Sequence, residues 1–436
     1  MGSGKTSAML SKVNADTDGS YIYVTPYLPE VERVIKQTGY RFKQPYNTGE
    51  GKLNSLHKLL AAGESIVTTH ALFLMATSDT VQLIHEGGYT LILDEALDIF
   101  KEYNDVVKSL DNKVVTKGDV RWLIQEGYIS VSPFDYCVKW NGGITEDFHY
   151  SEVERLAKSG SLRCIDDSLY WEYPIEVFAA FESIYILTYL FESSMLAAYM
   201  GIYNLPYQKV SAEHTEEGTF RLCPYTDDLE RRIALFSLVN IYTGELNRLG
   251  NKRNSLSVNW FKDSRPEQIR LLQNAMRSYK GQMKAPTGSV MWTTTKQYDI
   301  HKKFEKVKGF KYIRQLTAEE HQLPDEEKRK LRCFVSCTAR ATNDYSDRTT
   351  LLYMLNRFLP PNTKKYFSRR GNPIDEDGFA TSELLQWIWR SAIRNNRKIN
   401  IYIPSSRMRE LLFSWFGADE ALYLPRTKRG LEKASL

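Results

Sequence analysis

Gly2, Ser3, Gly4, Lys5 and Thr6 stand in the order that closes a phosphate-binding loop, G-x-x-x-x-G-K-[ST]. Glycines there let backbone amides point at phosphate oxygens. The lysine adds a point charge for the β- and γ-phosphates, and the threonine hydroxyl is a hard oxygen ligand for Mg²⁺. The residues that follow, Ser7 to Val13, suit a helix whose N-terminus faces the phosphates. Alone, so short a match leaves a glycine-rich tail as the second reading.

A second stretch, Leu91-Ile-Leu-Asp94-Glu95-Ala-Leu97, removes much of that ambiguity. Asp94 ends an apolar run, where a Mg²⁺-bound water needs a carboxylate, and Glu95 beside it can orient and deprotonate an attacking water. An acidic pair on a surface is common. One that closes a buried strand downstream of a phosphate loop implies an ATP hydrolase with ATP and Mg²⁺ as cofactors.

These residues need a frame, and the first hundred residues supply one. Short β-rich runs (Tyr21–Leu28, Ser65–Ala76, Tyr89–Phe100) alternate with helical stretches such as Pro29–Gln37 and Val81–Gly88, which is the pattern of parallel βαβ units. The next run of this kind is Ser183–Phe191. The gap after Asp94 is far longer than one βα connection needs, so an insertion is expected at about 101–180. Within it Gly118–Val131 reads as helix then strand, and Leu162–Phe178 as a hairpin turning at Asp166-Asp167-Ser168. The first domain is expected to span 1–205 and the second 206–436. In the second, Gly288–Phe304 and Lys398–Phe416 read as strand then helix, Leu331–Asp347 as strand then polar turn, and Thr381–Asn396 as a helix.

The assembled pattern resembles the superfamily-2 helicases, the DEAD/DEAH-like group, and among them helicase-like proteins of bacteriophages. The resemblance rests on Gly2–Ser7 (motif I), Val24–Leu28 (Ia), Val67–Phe73 (Ib), Leu93–Leu97 (II), Ile186–Ser194 (III), Val290–Lys296 (IV), Ser336–Tyr345 (V) and Gln386–Arg394 (VI). It implies an α/β fold of two RecA-like lobes with an α+β insertion in the first, and an ATP site in the cleft between them. It also implies nucleic-acid contacts from Thr25, Pro26, Thr68, Thr69, His70, Thr294 and Thr338. His70 has a plain structural role as its alternative. Gln386, Arg390 and Arg394 take catalytic places, and at about 100° per residue they share one face if the helix is continuous. A basic solvated face is the competing reading. Two positions depart from the family pattern: Tyr189 and Leu190 follow Thr188 in motif III, and Ile393 precedes Arg394 where motif VI has arginine.

Charge agrees with a polyanion partner. Residues 1–200 hold 17 Lys and Arg against 27 Asp and Glu, whereas residues 201–436 hold 41 against 26. A basic half beside an acidic one suits a lobe that grips DNA, single-stranded or forked. Stretches of apolar residues long enough to span a membrane are absent, and the five scattered cysteines fit a reducing cytoplasm, the host's if the chain is phage-encoded. Rival functions are a phage DNA-packaging ATPase, which needs a nuclease carboxylate cluster, and a non-hydrolysing nucleic-acid clamp. The acidic stretch Ile374–Gly378 is the only sequence to weigh for the first. Met1 falls inside the loop motif, so the sequence carries the expectation of an incomplete N-terminus, lacking the strand that feeds the loop.

Overall fold

A computed structural model describes residues 4–47, 49–108, 114–142, 149–216, 218–310, 317–324, 327–328, 331–339 and 344–423. Residues 424–436, which hold four lysines and arginines against one glutamate, lie outside them, as do 325–326 and 329–330 in the charged stretch 321–330. The chain forms two compact units: Ser3–Tyr225 with Pro360–Asp375, and Thr226–Leu359 with the chain from Glu376 onward. The division thus falls later than residue 205, because the hairpin of β10 (Val210–His214) and β11 (Phe220–Pro224) packs on the first unit's helix α1 (Lys5–Ala15).

The first unit is built on a parallel sheet of β1 (Tyr21–Thr25), β2 (Ile66–Thr69), β3 (Thr90–Asp94) and β9 (Ser183–Leu187), in the order β2-β1-β3-β9. Side chains alternate across a strand, so each face gathers its own core. Tyr21, Tyr23 and Ile92 face Met9, Leu10 and Val13 of α1 and Val31 and Val34 of α2 (Leu28–Gln37). Ile22, Val24, Leu91 and Leu93 pack with Leu56 and Leu60 of α3 (Lys52–Ala61). Helices on both faces explain why these strands are continuous apolar runs. Short α4 (His70–Phe73) follows β2, and α5 (Ser78–Glu86) leads to β3. Among the described residues β9 pairs with β3 alone.

The insertion is α+β, as expected. It holds the antiparallel sheet β4-β8-β7 (Phe100–Glu102, Ser168–Glu172, Leu162–Ile165), the hairpin β5–β6 (Ile129–Val131, Val138–Trp140), and helices Lys117–Gln125 and Ser151–Lys158 around a core of Leu123, Val153 and Leu162. Its β7–β8 turn is Asp166-Asp167, both with positive φ (49° and 59°), the conformation of a two-residue turn matched to strand twist.

One helix crosses the sequence division. Pro361–Arg369 belongs to the first unit, where Tyr366 and Phe367 pack 4.5 and 5.4 Å from Phe100. Beneath it Glu172, fully buried, meets Arg163 at 3.2 Å and Arg370 at 3.3 Å and accepts from the hydroxyls of Tyr203 and Tyr366.

The second unit carries its own parallel sheet, β12-β15-β14-β13, from Val239–Ile241 (β12), Val290–Thr293 (β13), Thr350–Tyr353 (β14) and Ile399–Tyr402 (β15). Trp292, Leu352, Met276 and Tyr279 are among its buried core. The stretch expected as a strand after Leu331 holds only isolated bridging among the described residues, at Arg332 and at Phe334 opposite Trp292, and the sheet takes the Thr350 run as its strand instead. Backbone bonds from Trp292 N to Cys333 O and Val335 N to Trp292 O satisfy the bridge without extending it.

Candidate active site

Gly4 caps α1 with a left-handed φ of 76°, and its carbonyl starts the helix by accepting from Ala8 N at 2.8 Å. Only glycine suits this residue: a Cβ would be strained at that φ and would overlap the Phe220 ring. Gly2 and Ser3 lie outside the described residues. Lys5 and Thr6 are half-buried in the first turn, and Lys5 Nζ sits 5.8 Å from the ring of Tyr189, just past the end of β9.

Asp94 ends β3 on the face that α1 covers. β1 and β3 run parallel with Tyr23 opposite Ile92, and Asp94 lies two residues further along the same face. The Tyr23 hydroxyl donates to Asp94 Oδ2 at 2.9 Å. Burial pushes the Asp94 carboxyl up to about 6, against the pull of that hydrogen bond, while burial raises Tyr23 well above the ordinary tyrosine range and keeps it a donor. From the other side the His70 ring Nε2 lies 3.0 Å from the Asp94 carbonyl.

Glu95 has a φ of 65°, a conformation that costs a residue with a side chain about 1–3 kcal/mol and that clusters at functional sites. Its N–H still donates to Leu187 O at 3.2 Å, which extends the pairing of β3 with β9 by one bond. Its Oε2 is buried and makes no hydrogen bond. A buried polar atom without a partner in a native fold calls for an explanation, and a ligand site is one. The donor set suits Mg²⁺: Asp94 and Thr6 offer hard oxygens, and with Oδ2 engaged by Tyr23 the Asp94 Oδ1 is the oxygen left for a cation.

The expected nucleic-acid contacts divide by exposure. Thr25 and Thr68 are buried, 0% and 3% exposed, and the Thr25 hydroxyl lies inside the sheet end without a hydrogen-bond partner. Thr294, 2% exposed, donates its hydroxyl to Met354 O at 2.9 Å, which closes the sheet rather than a ligand site. Pro26, Thr69 and His70 are half-buried and Thr338 is exposed, its hydroxyl 3.0 Å from that of Ser336.

Gln386, Arg390 and Arg394 do not share one helix face. The helix is Glu376–Ile388, and the chain then tightens: Arg390 N bonds Trp387 O, Ser391 Oγ caps Ile388 O at 2.7 Å, and Ala392 N pairs with Arg348 O. Gln386 is half-buried and donates to Ser382 Oγ at 3.1 Å, Arg390 is 5% exposed, and Arg394 faces solvent from a separate 3₁₀ turn. The acidic stretch Ile374–Gly378 runs into this same helix, which starts at Glu376, and Asp377 pairs with Arg407 at 2.6 Å.

The α/β fold, with a parallel sheet in each unit, is one that this chain shares with a solved helicase structure. A solved XPD helicase aligns over 98% of this chain and 94% of its own, with a TM-score of 0.50 at 11% identity. S. tokodaii Xpd4 aligns over 96% and 98%, with a TM-score of 0.40 at 12% identity. Residues 233–416 match the family described as YonV C-terminal Rossmann-like domain. The SPbeta prophage-derived uncharacterized protein YonV of Bacillus subtilis (strain 168) is 36% identical over 431 residues, covering 95% of this chain and 96% of that protein. The chain belongs to the YonV family.

Proposed function

We propose that this protein is an ATP-dependent nucleic-acid helicase or translocase that acts on DNA in the cytoplasm of a phage host. The observation that carries the reading is local to the first unit. Lys5 and Thr6, at the N-terminus of α1, stand on the sheet face that bears Asp94, and the next residue, Glu95, keeps a buried carboxylate oxygen without a hydrogen-bond partner. Mg²⁺ would supply charge neutralisation on the β- and γ-phosphates.

In this reading Lys5 and the backbone amides at the start of α1 bind the triphosphate, Asp94 and Thr6 hold the cation, and Glu95 takes the proton of the attacking water. Thr69, Pro26 and Thr338 grip the sugar-phosphate backbone, which suits movement along DNA without regard to sequence. No helix among the described residues is long and apolar enough to cross a membrane.

ATP turnover measured with single-stranded DNA, with RNA and with neither tests the proposal. Stimulation by DNA is expected; turnover that ignores every nucleic acid contradicts it.

A further inference from the structure

On the reading just given Asp94 meets the metal, and we infer that Tyr23 is the positioning residue that sets its aim. A carboxylate at a strand end can rotate about its last bond and present either oxygen or both. Here one oxygen is committed: the Tyr23 hydroxyl donates to Oδ2 at 2.9 Å. The donor itself has little freedom, because Tyr23 is 0% exposed, lies in the core between the sheet and helices α1 and α2, and meets Phe42 edge-on at 6.3 Å. Parallel pairing of β1 with β3 fixes its height, since Val24 stands opposite Leu93 one residue before Asp94. A rigid aromatic arm on the neighbouring strand therefore holds Oδ2, and Oδ1 is the oxygen offered to a cation. The Asp94 backbone is anchored separately by the His70 ring, so rotation of the carboxylate is the freedom that Tyr23 removes. Partners of this kind around a metal ligand are worth about 10–100-fold in metal affinity.

The same strand contains its own control. Tyr21 lies two residues earlier on the same face, and its hydroxyl also donates to a carboxylate, Asp16 Oδ2. Tyr21→Phe removes a comparable hydrogen bond with no link to Asp94.

The test uses the full chain and two probes: a fluorescent ATP analogue, bound in EDTA and in Mg²⁺, and Mn²⁺, whose binding in the presence of the analogue is read by electron paramagnetic resonance. Tyr23→Phe should bind the analogue in EDTA as the wild type does, and bind Mn²⁺ about tenfold or more weakly. Tyr21→Phe should match the wild type in both. Unchanged Mn²⁺ affinity in Tyr23→Phe overturns the role of Tyr23 and leaves the ATP reading standing. An equal loss in both variants also overturns it, since the effect is then general to the strand. A wild type whose analogue binding gains nothing from Mg²⁺ contradicts the ATP reading itself.

Discussion

Phe220 lays its ring over Gly4, on the side where any larger residue would place its Cβ. The hairpin β10–β11 thereby reaches back to the start of α1 within the first unit. Gly4→Ala meets two penalties: a left-handed φ worth about 1–2 kcal/mol and overlap worth about 1–3 kcal/mol. A clear drop in Tm and lost binding of an ATP analogue are expected. Adding Phe220→Ala should recover the overlap share of Tm but not the rest. Equal Tm for Gly4→Ala and wild type would show that the contact carries no constraint.

Glu172 is the pin of the first unit. Its carboxylate faces Arg163 and Arg370, both less than a tenth exposed, and accepts from two tyrosines. Glu172→Ala leaves both guanidinium groups buried without their countercharge, a loss of about 3–5 kcal/mol. Urea unfolding should report that loss. Amide exchange should speed up in Pro361–Arg369, because Tyr366 and Arg370 hold this segment to the insertion. Unaltered protection there would mean that apolar packing alone seats the helix.

The two arginines of the last helicase-like motif separate by burial. Arg390→Ala should lower turnover by about 10³-fold if it stabilises charge on the γ-phosphate, with ATP affinity little changed. Arg394 is solvent-exposed, so Arg394→Ala should leave turnover intact and stability within about 0.5 kcal/mol. Equal kinetic damage from both variants would contradict this separation by burial.

Thr294 spends its hydroxyl on Met354 O, so Thr294→Val should cost about 1 kcal/mol of stability and nothing in DNA affinity. DNA binding should weaken steeply with salt, as expected when lysines and arginines displace counterions. A flat salt response, or a selective loss of DNA affinity in Thr294→Val, argues against this division of labour.

Much of this was legible in the sequence for physical reasons. An apolar run that ends in a carboxylate must leave the core at that residue, which placed Asp94 and Glu95 at the end of β3. Alternating apolar runs gave the parallel sheet, and Asp166-Asp167 marked its own turn. What escaped depended on partners distant in the chain. Pro361–Arg369 is polar enough to read as a surface helix, and only Tyr366 and Phe367 hint that it packs against the insertion. Thr25 and Thr68 sit at strand ends, but whether a strand-end hydroxyl faces solvent depends on the loops above it. The helix face proposed for Arg390 failed on one residue: Ser391 turns its hydroxyl back onto Ile388 O and ends the regular turn. The bond from Tyr23 to Asp94 needs the register of β1 on β3, which alternation alone does not supply.

The central claim is that Glu95 is the general base of an ATP hydrolase. Its most direct test compares Glu95→Gln with the wild type for ATP-analogue binding and for DNA-stimulated turnover in one preparation. Glutamine keeps the shape of the side chain and removes the base, so binding should persist while turnover falls about 10²–10⁴-fold. Turnover equal to the wild type in Glu95→Gln would contradict the claim.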